Sequence, residues 1–98
     1  MGAISTLFLL GAQYGGAAII PLETVRKDYF PHLSMTKLIW KANRGEFDLP
    51  IVYLDRSAKT AKGVALLDLA TYLDRQRDAA LSEFETLHGR PFETTPRR

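Results

Sequence analysis

Proline and glycine punctuate the middle of this chain so closely that it can fold only into short elements. Pro21, Pro31, Gly45, Pro50 and Gly63 divide the segment from 21 to 63. A proline suits the first turn of a helix, where its missing N–H loses no partner, and it drives the residue before it out of the helical region. A glycine suits the position just past a helix C-terminus. Leu22, Val25 and Tyr29 repeat at helical spacing, which predicts a helix from about Leu22 to Tyr29 that stops before Pro31. Ser34 or Thr36 can cap a second helix, from about Met35 to Arg44, closed by Gly45. Leu49 to Leu54 is β-branched and aromatic behind a proline, the pattern of a strand. The turn from Asp55 to Gly63 is basic, and Val64 and Ala65 return the chain as a second strand. Helix, tight break, helix and hairpin form the order of a helix-turn-helix followed by a wing.

The second helix of that pair carries the chemistry. Met35, Leu38, Ile39 and Ala42 form an apolar stripe. At 100° per residue, Lys37, Trp40 and Arg44 point away from it, with Thr36 and Lys41 on either side and Asn43 nearer the boundary. Lys and Arg can bind phosphate or donate to guanine, Asn can pair with adenine, and Thr can touch a thymine methyl. A solvated amphipathic helix would also carry such charges. Trp40 could equally be a partly buried core residue or an anchor for a protein partner. The turn adds Arg56, Lys59 and Lys62, cations that suit phosphate contacts and otherwise solubilise an exposed hairpin tip. A cationic helix beside a cationic hairpin points to double-stranded DNA, the helix in the major groove and the hairpin on flanking phosphates. Those nine residues are the candidate DNA-binding set.

Charge distribution leans the same way. From Glu23 to Lys62 eight Lys or Arg face five Asp or Glu, a balance of +3. From Gly63 to Arg98 five face six, a balance of −1. The net +2 therefore resides on the helix-turn-helix and wing.

Around this centre the chain divides into three parts. Residues 1–20 hold a short helix, Thr6 to Gln13, opened by Ser5 or Thr6, then extended chain or a short edge strand from Ala17 to Ile20. Residues 21–88 form the winged helix-turn-helix with a last helix from Leu66 to about Leu87. In that helix Leu66, Ala70, Leu73, Arg77, Ala80, Phe84 and Leu87 alternate at four and three, a heptad-like seam. Its first half should pack on the domain, and the rest is long enough to pair two copies into a homodimer. Residues 89–98 read as a disordered basic tail. The expected fold is a small α+β winged helix-turn-helix domain with a long C-terminal helix.

Several function classes are disfavoured. Cysteine is absent, which removes disulfides, thiol nucleophiles and Cys-based zinc sites. His32 and His88 stand far apart without metal-ligating neighbours at usable spacing. The glycines of GAQYGG lack the strand–loop–helix context of a phosphate loop. No catalytic residue, cofactor or metal is expected, and the chain does not read as an enzyme. Ile4 to Tyr14 is apolar but lacks a basic leader and is too short to span a bilayer, so no membrane partner is expected. Met1-Gly2-Ala3-Ile4-Ser5-Thr6 fits the loose myristoylation pattern, which is too degenerate to carry weight. A cytoplasmic location fits.

LFLLGAQYGGAAIIPLETVRKDYF, the basic helix after it, then DLPIV, AKG and LLDLATYLD together resemble the pyocin activator protein PrtN family. The likeness runs from about Thr6 to Arg75. It implies a transcriptional activator of bacteriocin or prophage genes in bacteria, acting under DNA-damage control, and adds RNA polymerase as a candidate partner. The middle segment also resembles the wider winged-helix class of excisionases and MerR-type regulators, where a glycine follows the recognition helix as Gly45 does here. Activation rather than repression comes wholly from the resemblance. Two rivals remain: an excisionase-like architectural protein that bends DNA, and a phage-encoded adaptor that docks on another protein through Trp40.

Overall fold

A computed structural model describes residues 5–55 and 61–93. The elements run α1 (Thr6–Gln13), β1 (Ile19–Pro21), α2 (Leu22–Tyr29), α3 (Met35–Asn43), β2 (Val52–Tyr53), β3 (Lys62–Ala65) and α4 (Leu66–His88). The fold is α+β with a long last helix, as the sequence implies. None of the described helices is long and apolar enough to cross a membrane.

Local chemistry accounts for most boundaries. Ser5 caps α1 by accepting from the Phe8 amide at 3.0 Å, and Ser34 caps α3 by accepting from the Lys37 amide at 3.1 Å. Pro21 precedes α2, whose last turn ends at Phe30, one residue before Pro31. Gly45 follows the Arg44 cap of α3 with φ +76°, a left-handed conformation that glycine adopts without a Cβ penalty. There the Gly45 amide donates to Ala42 and the Glu46 amide to Lys41, each at 3.0 Å, so the chain folds back over the last turn of α3.

The expected extended segment after α1 becomes an edge strand, and it completes the sheet. The strand order is β1-β3-β2, all antiparallel, with Ile20 opposite Val64 and Val52 opposite Gly63. The hairpin expected from sequence is thus the inner and one outer strand of a three-stranded sheet. At Gly63 the strands approach so closely that a Cβ would lie 2.7 Å from the Ile20 carbonyl oxygen and 2.6 Å from a methyl of Ile19. Only glycine fits that crossing.

One core gathers every layer: Leu10 from α1, Ile20 from β1, Leu22 and Val25 from α2, Leu38 from α3, Val64 from β3, and Leu69 and Ala70 from α4, with Phe30 and Leu49 from the loops. Burying each large aliphatic side chain contributes about 1.5–3 kcal/mol. Phe30, Phe47 and Tyr72 add an aromatic corner with ring centroids 4.9–6.4 Å apart.

Two elements differ from the sequence reading. The strand expected over Leu49 to Leu54 pairs only at Val52 and Tyr53. Leu49 turns into the core instead, and beyond the strand the Leu54 amide reaches Ala61 at 2.8 Å. In α4 the deepest residue is Leu69, which is fully buried and absent from the 66–70–73 seam. The domain wraps a wider arc of this helix than a heptad seam describes, as globular packing commonly does. Past Leu73 the same arc emerges at Ala80, Leu81, Phe84 and Leu87, the last 73% exposed. Phe92 folds back with its ring 5.4 Å from that of Phe84. The rest of the tail, residues 94–98, lies outside the described residues.

Candidate nucleic-acid interface

The apolar stripe of α3 seats the helix inward, with Leu38 buried and Met35, Ile39 and Ala42 partly so. Everything opposite faces outward. Thr36, Lys37, Trp40, Asn43 and Arg44 are exposed, and Lys41 sits at the margin. The wheel places Thr36, Lys37, Trp40 and Arg44 correctly, but Asn43, expected nearer the boundary, is exposed, and Lys41 is the residue at the margin.

Trp40 is half exposed at the centre of that face. The Arg44 guanidinium lies 4.5 Å from its ring centroid, and the Lys37 ammonium 6.0 Å from it. These three side chains form a cation–aromatic cluster over two turns of helix. Thr36 and Asn43 flank it at opposite ends.

Lys41 and Arg44 meet at a residue the sequence reading did not single out. Glu46 accepts from Lys41 Nζ through Oε1 and from Arg44 Nε through Oε2, both at 3.1 Å. The Lys41 hydrogen bond, then that of Arg44, holds the Glu46 carboxyl below the usual carboxylate range. No spacing along α3 marks it, because the left-handed turn at Gly45 decides where the next side chain points.

Arg26 is a second residue the sequence reading did not single out. Its guanidinium grips Glu23 twice, at 2.8 and 3.0 Å, and spans the α2–α3 turn to reach the Leu33 carbonyl oxygen. It braces the turn that sets the pose of α3.

On the wing, Lys62 opposes Tyr53 across the hairpin, its ammonium 5.9 Å from the ring. Arg56 and Lys59 lie outside the described residues. α2 packs on both α3 and β3, so one helix holds the outward face and the hairpin in a fixed relation. From the other end, α1 is tied to α2 by Tyr14, whose hydroxyl donates to Asp28 at 2.6 Å. Burial, then that hydrogen bond, pushes the Tyr14 phenol well above its ordinary range.

The described residues thus present a helix with a cationic, aromatic outward face, and a short hairpin joined to it through α2. An α-helix with its side chains is about 10–12 Å across, which matches a B-DNA major groove about 12 Å wide. The family model described as pyocin activator protein PrtN matches residues 6–80, from the start of α1 to the middle of α4. No match was found among curated proteins, and none among solved structures.

Proposed function

Because the chain belongs to the pyocin activator protein PrtN family, whose role is to activate pyocin genes, we propose that it does so by binding double-stranded DNA in a sequence-dependent way. In this reading α3 enters the major groove. Arg44 and Asn43 address base edges, Thr36 offers its methyl, and Lys37 and Lys41 contact phosphates. Lys62, with Arg56 and Lys59 of the wing, grips flanking backbone. No catalytic step or cofactor is invoked, and the site of action is the bacterial cytoplasm, with RNA polymerase as the machinery acted upon.

The observation that carries the reading is the outward face of α3 in a chain of this family. Its polar groups are donors suited to base edges and phosphates, and Trp40 stands among them. One module offers little contact area, typically about 600–1,000 Å² on DNA. A second copy doubles it. We therefore assign the emerging arc of α4, from Ala80 to Leu87, to pairing between two copies. Such a dimer would address two half-sites about one helical turn apart or a multiple of it.

The test is a titration of the protein with random duplex and with duplex from upstream of pyocin-type genes, following Trp40 fluorescence at several salt concentrations. Tight, salt-steep binding with preference for the upstream duplex and a change in Trp40 emission is the expected result. Absence of binding at low salt would remove the proposal. If Trp40→Ala then abolished function while Lys37→Ala and Arg44→Ala did not, the face would belong to a protein partner. Strong bending in a circular-permutation assay without promoter activation would favour the architectural role.

A further inference from the structure

Glu46 is out of place on a surface built to meet a polyanion. Among the described residues it is the acid in ion-pair contact with α3 cations, and it holds two of them, Lys41 and Arg44, at 3.1 Å each. Its side chain does not hold the turn together. The backbone does that, through the Glu46 amide on the Lys41 carbonyl and the Gly45 amide on Ala42. All three charged side chains are at least 32% exposed, so their pairing adds little to the fold. The carboxylate bears on how the cations are presented.

The geometry points to Glu46 as a positioning residue that sets DNA specificity, by holding Arg44 edge-on through Nε and keeping Lys41 and Arg44 from indiscriminate phosphate pairing. This rests on the DNA-facing reading of α3. Arg44 is held at two places, its Nε edge by Glu46 and its guanidinium over the Trp40 ring at 4.5 Å. That arrangement leaves its two Nη groups as a preorientated fork, the shape that donates twice to guanine O6 and N7. A carboxylate beside the groove also repels phosphate on every sequence alike. Only a sequence that fills the Arg44 fork compensates for that repulsion. Random DNA meets the repulsion alone, so the acid lowers non-specific binding more than specific binding.

The test compares the full-length protein with its Glu46→Gln variant, which keeps the backbone turn and the side-chain shape. Two probes are used: a random duplex, and the preferred duplex that the unaltered protein selects from a random pool. The variant should bind random duplex about three- to tenfold tighter, with a salt slope steeper by about one. Its preference for the selected duplex over random should fall by about the same factor. An unchanged preference overturns the positioning role whatever happens to the slope, and so does failure of the pool to yield a preferred duplex. If the unaltered protein binds no duplex at low salt, the DNA reading falls and this role with it. If it binds and the variant behaves identically, only the role of Glu46 is lost.

Discussion

Arg26 on α2 donates from Nη1 to the carbonyl oxygen of Leu33 at 2.9 Å, across the turn that separates α2 from α3. With its other edge on Glu23, the same guanidinium joins the start of α2 to the entry of α3. Arg26→Ala should lower stability measurably, because the part-buried carbonyl loses a charged donor. Arg26→Lys should recover only part of this, since one ammonium cannot serve both partners. Urea denaturation of the three proteins measures it. Equal stability of all three would mean that packing at Phe30 and Leu33 alone fixes the turn.

The pair between Glu23 and Arg26 carries a pH signature. Hydrogen bonding to Arg26 lowers the Glu23 carboxyl below its ordinary value of 4.5 in the folded chain. Above that value the carboxylate is ionised in both folded and unfolded chains, and its stabilisation is present in full. As the pH falls through the lower folded value the folded carboxylate takes up its proton and the contribution disappears. Melting temperature should therefore drop on acidification below about pH 4.5, and drop less in Glu23→Gln. Parallel curves for the two proteins would contradict it.

Division of labour on the proposed DNA face is separable by salt. Arg44→Ala should cost about 1–3 kcal/mol on the preferred duplex and relax preference at one base pair. Lys62→Ala should weaken all duplexes similarly and reduce the salt slope by about one. Lys59→Ala should behave as Lys62→Ala does. Competition binding against single-base variants of the preferred duplex distinguishes them. Equal losses on preferred and random DNA for both kinds of variant would show that no residue here reads sequence.

Burial ranks two leucines on α4. Leu69→Ala should destabilise by about 2–5 kcal/mol, since Leu69 is fully buried. Leu73→Ala, at a partly buried position beside the same core, should cost less. Thermal or urea unfolding gives the ranking, and a larger loss at Leu73 would mean the heptad seam, not the domain core, governs this helix.

Pairing through α4 can be tested covalently because the natural chain has no cysteine. Ala80→Cys and Leu87→Cys each place one thiol on the emerging arc. If two copies pair there, mild oxidation should link Ala80→Cys into a dimer. Leu87→Cys should link as well if the helices run parallel. In antiparallel helices crossing near Ala80, the two Leu87 positions stand about 20 Å apart at 1.5 Å per residue and stay unlinked. Monomers throughout, at concentrations of tens of micromolar, would remove the pairing role of α4.

How much of this was legible depended on the range of the interaction. The stops at Pro31 and Gly45 and most of the outward face of α3 follow from spacing within a few residues, and of the cap candidates offered, Ser5 or Thr6 and Ser34 or Thr36, the serines serve. The burial of Leu69 depends on how far the sheet and α1 wrap around α4, which no period along the helix records. Leu49 shortens β2 because the core takes its side chain. Arg26 and Glu46 act through turns whose direction the residue types alone do not state. Neither could be placed before the turns themselves were known.

β3 has one more consequence. Both outer strands bond to it and not to each other, and it is the last of the three in the chain. A ribosome that has released only residues up to Asp55 has delivered α1, α2, α3 and two strands with nothing between them. β1 must wait for a partner made more than forty residues later, as the pairing of Ile20 with Val64 requires. Sheet, wing and the docking of α4 then close together, so the outward face of α3 is presented only by a chain whose synthesis has passed the wing.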